Sequence, residues 1–186
     1  VIFFLICFQG FIGWYMVKSG LVDRIDVSHF RLSAHLIIAF LILSLIFWNY
    51  LKIKKNITIS GKINSLIPFS FLVLIFIQII IGAFVSGMDA GKIYNSWPLM
   101  GNTYFPNDNN FMSLFKLSAL SDPSLVQFLH RNLAYLIFFF YLFILYRIYK
   151  NKLYDLYKSV NFLGFFIILQ VILGIFTIIY GAQIYI

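Results

Sequence analysis

Of the three histidines in the 186 residues, two stand in matching surroundings. His35 is followed by Ala39 and Phe40, and His130 by Ala134 and Tyr135, each within a long apolar run. An ionisable side chain in such a run is costly to place in hydrocarbon and turns towards partners inside a bundle. One histidine there could equally satisfy a neighbour by hydrogen bonding or ligate a metal, because either answers the cost of burial. Two at equivalent positions of a repeat shift the balance towards a repeated ligand. Bare zinc or copper needs three or four clustered donors. The chain offers one cysteine, Cys7, in an apolar run, and no glutamate. A haem needs only one or two axial histidines, with its ring packed between helices.

Two arginines accompany these histidines. Arg31 lies one helical turn before His35, on the same face, and Arg131 directly follows His130, off that face. Both are candidates to meet the propionates of a haem, Arg31 the stronger of the two. The competing reading is that both snorkel to lipid headgroups. His29 falls in a loop in this reading.

The elements that carry these residues are membrane spans. Hydrophobic residues make up 62% of the chain and charged residues 11%, against about a quarter charged in soluble domains. Five apolar stretches, 1–17, 32–51, 66–88, 127–146 and 160–182, are each close to the roughly 20 residues needed to cross a bilayer. The expected class is an all-α polytopic membrane protein with five transmembrane helices. Loop 52–65 carries Lys52, Lys54, Lys55 and Lys62, and loop 147–159 carries Arg147, Lys150, Lys152 and Lys158. The positive-inside rule puts both on the cytoplasmic side and loops 18–31 and 89–126 outside. That placement accounts for most of the net charge of +8 and leaves no basic surface for nucleic acid. The sequon Asn56-Ile57-Thr58 then falls on the inner side and reads as chance. Val1 begins within an apolar run without a charged leader or cleavage site, and Ile186 ends as abruptly. The expectation is an interior portion of a longer chain.

The spans repeat. Gln9, Gly13 and Tyr15 correspond to Gln78, Gly82 and Phe84, and again to Gln170, Gly174 and Phe176. The unit is a Gln/Gly helix running outward followed by a histidine helix running inward. By this period, the helix after the fifth should carry a histidine near its outer end. Gln and Gly one turn apart read as packing residues, with Gly allowing close approach and Gln bonding across. Residues 87–106 mix Gly, Asp, aromatics and Pro in a way that suits an ordered cap over the bundle mouth, with Asp89 shaping it.

The run Gly82-Ala-Phe-Val-Ser-Gly-Met-Asp-Ala-Gly-Lys-Ile-Tyr-Asn-Ser-Trp-Pro-Leu-Met100 resembles the outer-loop signature of the haem A synthase family. Gly13-Trp-Tyr-Met-Val-Lys-Ser-Gly-Leu21, Arg31-Leu-Ser-Ala-His-Leu36 and Gln127-Phe-Leu-His-Arg131 match as well, so the resemblance covers essentially the whole chain. It implies an eight-helix protein of two similar four-helix bundles, of which these spans are the third to the seventh. Residues 1–60 would be the second half of the N-terminal, substrate-haem bundle, and 61–186 most of the C-terminal, haem b bundle. The implied activity is oxidation of a ring methyl of haem O to a formyl, giving haem A for terminal oxidases. His35 would then ligate the substrate haem iron and His130 the haem b iron. The catalytic acidic residue of the family would lie upstream of Val1, and some relatives' loop cysteine pair is absent, as in the mitochondrial and alphaproteobacterial type. Haem O and its synthase, a quinol or ferredoxin-like electron donor and the lipid bilayer are the partners implied, and a homo-oligomer is compatible with them. The implied location is the bacterial inner membrane or the mitochondrial inner membrane. The alternative function is a non-enzymatic di-haem cytochrome b. A transporter ranks last, because transporter sites lie near the midplane and these histidines near the outer face.

Overall fold

The computed structural model describes residues 1–20, 27–54 and 63–180. Lys55, Lys62 and the sequon at 56–58 lie outside the described residues. Five long helices account for most of the rest: α1 Ile2–Gly20, α2 His29–Ile53, α3 Leu66–Gly87, α4 Pro123–Lys150 and α5 Tyr157–Ile179. Among the described residues, five helices are long and apolar enough to cross a membrane, as expected from the sequence. Short 3-10 turns at Ala90–Lys92, Phe111–Phe115, Leu117–Ser121 and Tyr154–Leu156 fill the connections.

Two helices start earlier than hydropathy indicates. The α4 helix opens at Pro123 rather than 127, because Asp122 caps it. Its Oδ1 accepts from the backbone N–H of Leu125 at 2.9 Å, and Pro123 fits the first turn, where no N–H is needed. The α2 helix opens at His29 rather than 32, with the Ser28 carbonyl accepting from the N–H groups of Arg31 and Leu32. His29 is therefore a helix residue and not a loop residue. Polar first turns carry little apolar signal, and hydropathy cannot see them.

The helices pack in chain order, α1 on α2, α2 on α3, α3 on α4 and α4 on α5. The best-buried apolar cluster joins the last three, with Phe71, Ile137, Tyr141, Ile148, Leu153 and Val160. Tyr141 reaches across to donate from its hydroxyl to the Val160 carbonyl at 3.3 Å. Its hydroxyl occupies the space where a side chain at position 164 would begin, which is why that residue is glycine. At the outer end α2 and α3 meet as tightly: a Cβ on Gly87 would lie 2.9 Å from the Cα of His29. Large apolar side chains such as Phe3, Leu43, Phe69, Phe139 and Phe162 face outward, as lipid-exposed surfaces require.

Candidate functional site

The two repeated histidines sit in nearly identical settings. On α1, the Gln9 side-chain amide nitrogen donates to the backbone carbonyl of His35 at 2.9 Å and meets the ring Nε2 of the same residue at 3.3 Å. On α3, Gln78 does the same to His130, at 3.2 Å to the carbonyl and 3.3 Å to Nε2. One turn further along, a glycine leaves room for the ring. A Cβ on Gly13 would lie 3.0 Å from Cε1 of His35, and one on Gly82 would lie 3.1 Å from Cε1 of His130. Each histidine is therefore clasped between a glutamine and a glycine of the preceding helix. The Nδ1 atoms of both rings are buried without a hydrogen-bond partner among the described residues. Among the described residues the third copy of the signature has no such companion: Gln170 is exposed, and nothing lies within 4 Å of a Cβ placed on Gly174.

Arg31 stacks its guanidinium over the Tyr15 ring, 5.3 Å from its centre, one turn outward of His35. The Arg131 side chain is turned elsewhere. It is 6% exposed, with one terminal nitrogen donating to Tyr94 O at 2.8 Å and the other to Ser96 O at 2.9 Å and Leu99 O at 3.3 Å. The expectation that Arg131 meets a propionate gives way to this arrangement, in which it fastens the outer loop to α4. Gln127, one turn earlier on the same face, adds a bond to Tyr94 O at 3.0 Å.

The loop they hold is an ordered cap. Trp97 donates to the Tyr135 hydroxyl at 2.9 Å, and Tyr104 donates to the Asn132 side chain at 2.5 Å. Ser96 and Gly101 close a tight turn, with Gly101 at φ +73°. Asp89, between α3 and the 3-10 turn Ala90–Lys92, is in the left-handed region at φ 52° and paired with Lys92 at 2.9 Å. It shapes the start of the cap, as expected. Asp108 is the second anchor, accepting from Tyr94 at 3.0 Å and from Ser124 at 2.5 Å. Burial pushes its carboxyl up, but the bonds from Ser124 and Tyr94 outweigh burial and hold it below the usual carboxylate value. The Tyr94 phenol is pushed up by burial and by Asp108. Sequence reasoning gave no role to Gln127, Tyr94, Asp108 or Ser124. The one available signal was the one-turn spacing of Gln127 and Arg131 at the outer end of α4.

Among the described residues no three potential metal donors come together, so no bare-metal site of the zinc or copper kind is built. One part-buried imidazole per helix pair, with an unpartnered ring nitrogen and a glycine beside it, suits axial ligation of a haem.

The family described as COX15-CtaA, cytochrome oxidase assembly protein, matches the chain over residues 1–186. The chain belongs to the COX15-CtaA family. Its similarity extends to proteins named heme A synthase. The one from Pelagibacter ubique (strain HTCC1062) is 52% identical over 98% of this chain and 54% of its own length. Those from Rickettsia bellii (strain OSU 85-389) and Rickettsia felis (strain ATCC VR-1525 / URRWXCal2) are 42% and 40% identical, covering 99% and 97% of this chain and 56% and 55% of theirs. The chain thus spans about half the length of the COX15-CtaA relatives it matches. No solved structure matches it. The family resemblance seen in the motifs around His35, Asp89 and His130 is borne out.

Proposed function

We propose that the chain acts in haem A synthesis, oxidising a ring methyl of haem O to a formyl, with a resident haem b as electron carrier. The observation that carries this reading is the doubled clasp: one histidine per helix pair, each with a glutamine and a glycine of the preceding helix. Two equivalent but separate ligand positions answer a need for two haems, one as substrate and one as carrier. His35 would ligate the substrate haem and His130 the haem b. Arg31 lies one turn outward of His35, where a guanidinium can pair with a propionate. The bound carrier haem would supply one-electron chemistry. Methyl to formyl removes four electrons from the ring and adds one oxygen atom, so beside the expected electron donor the reaction needs an oxidant of the dioxygen class, as well as a place for the ring. The chain's own contribution is positioning: the clasps orient the imidazoles, and the cap held by Gln127, Arg131 and Asp108 screens the outer end of α4 from water.

The reading extends to surroundings. The basic segments near Lys52–Lys54 and Arg147–Lys158 belong to the cytoplasmic or matrix side of a bacterial plasma membrane or mitochondrial inner membrane. A quinol or ferredoxin-like donor and the enzyme that makes haem O are the expected partners. Each histidine is held within its own helix pair, so nothing favours a single haem shared between His35 and His130.

The test is pigment analysis of the full-length protein after separate replacement of His35 and His130 by alanine. The expected result is selective loss of haem O or A from His35→Ala and of haem B from His130→Ala. Loss of one common haem in both variants, or a wild-type protein holding only haem B under haem O accumulation, would overturn the proposal.

A further inference from the structure

The outer loop carries a stretch that the fold around it leaves bare. Phe111, Met112, Phe115 and Leu117 are between 58% and 87% exposed, on two successive 3-10 turns. Lys116 is the one charged residue among residues 111–117, and it too is exposed. The stretch is nonetheless held at its ends. Asn110 caps the first turn by accepting from the Met112 N–H at 3.3 Å. The Asn109 amide donates at 3.2 Å to Asp122, the side chain that caps α4. The second turn packs on α4, with Ala119 buried. Four large apolar side chains bared within seven residues, on an anchored segment, mark a contact surface.

The depth of this surface follows from α4. The helix has 28 residues, about 42 Å at 1.5 Å per residue, against about 30 Å for the hydrocarbon core it crosses. Arg147 and Lys150 mark its basic end. Counted back from Arg147, roughly 20 residues span the core and end near Gln127. Residues 123–126 then stand in the outer headgroup layer, and the turns packed beside the start of α4 stand with them. Sideways, the stretch is continuous with the lipid-facing surface. The Phe111 ring lies 5.8 Å from that of Phe105, which lies 5.1 Å from that of Phe128. Phe128 shares one face of α4 with Phe139 and Tyr146, both exposed.

We infer that residues 111–117 are an interfacial anchor, with Phe111, Met112, Phe115 and Leu117 dipping into the outer leaflet and Lys116 meeting lipid phosphates. Apolar side chains with a cation beside them are what segments lying in the membrane interface are made of. The long lysine side chain keeps its charge at headgroup level while its neighbours sink. The anchor gives the cap a hold on the bilayer in addition to the bonds made by Arg131 and Asp108. It depends on the spans and not on the haem reading.

The experiment uses the full-length protein in lipid nanodiscs, in a cysteine-free background that includes Cys7→Ala. Phe115→Cys, Leu117→Cys and, in the exposed part of the cap, Asn102→Cys each take a nitroxide. Electron paramagnetic resonance reads its collisions with oxygen, which gathers in lipid, and with a nickel chelate, which stays in water. The oxygen-to-nickel ratio is expected to be several-fold higher at 115 and 117 than at 102. Equal ratios at all three would place the stretch in water, and few collisions with either reagent would bury it against protein; either result overturns the inference. Unmodified protein gives a second reading that no folding defect can spoil. A phospholipid with a diazirine on its acyl chain is expected to label a peptide covering residues 111–117, and labelling confined to the long helices would overturn the inference as well.

Discussion

Replacing Arg131 with methionine should free the outer cap without unfolding the helices, and the size of the effect can be worked from its bonds. Arg131 donates to three carbonyls, but two keep another partner when it is gone. Tyr94 O retains the amide of Gln127 at 3.0 Å, and Leu99 O retains the Ser96 hydroxyl at 2.9 Å. Only Ser96 O loses the partner it has here. A bond to a charged group contributes about 1.5–3 kcal/mol. Some of that is returned, because methionine no longer buries a cation whose Nε is unpartnered. The net local loss is about 1–2 kcal/mol, which at about 1.4 kcal/mol per tenfold corresponds to roughly 5- to 30-fold easier opening. Hydrogen exchange of a peptide covering residues 94–101, measured in lipid nanodiscs, reads this directly. Protection elsewhere on α4 should change little. Unchanged exchange over 94–101 in a folded variant would refute the reasoning. So would full protection in Arg131→Lys, since a lysine cannot bridge the same carbonyls with a planar fork.

Three further outcomes follow from single contacts. Gly82→Ala places a methyl against the His130 ring and should weaken the haem held there, with overpacking of about 1–3 kcal/mol; Gly13→Ala should affect only the His35 site, and pigment content of the two variants distinguishes them. Gly164→Ala collides with the Tyr141 hydroxyl and should lower the thermal midpoint. Adding Tyr141→Phe should recover only the part of the loss due to the hydroxyl, since the ring Cζ stays 2.5 Å from the new Cβ, and no recovery would place the clash elsewhere. The Asp108 carboxyl, held below its ordinary value, stabilises the cap above the unfolded carboxylate pKa of about 3.9, and this contribution is lost as pH falls through the folded value. Trp97 fluorescence should therefore report cap release on acidification, with a flattened profile in Asp108→Asn; identical profiles would deny Asp108 that role.

What could be read from the sequence was whatever depends on spacing. Gln, Gly and His recur at fixed intervals, so the helix pairs, their alternation and the repeated histidine positions are legible in the sequence. Residues 127–131 show where legibility ends. His130 and Arg131 are adjacent, yet one faces α3 and the other the loop, and the partners of Arg131 are backbone carbonyls that no residue type announces. The starts of α2 and α4 were missed for a related reason: the Asp122 side chain and the Ser28 carbonyl act through local hydrogen bonds to the first turn, which hydropathy averages away.

The exposed third signature on α5 has a consequence for which mutations the chain tolerates. Gln9, Gln78 and Gln170 occupy the same repeat position, but only the first two have a histidine against them among the described residues. Gln→Leu at position 9 or 78 removes two bonds and should be harmful wherever it is measured. At position 170 the same change replaces a lipid-facing amide with a better lipid solute, and the 186 residues alone should bear it easily. If another helix closes over Gly174 as the first two pairs close, that tolerance should vanish in a chain that carries such a helix. A deleterious effect of Gln170→Leu seen only there would show that position 170 is selected by a neighbour and not by its own helix.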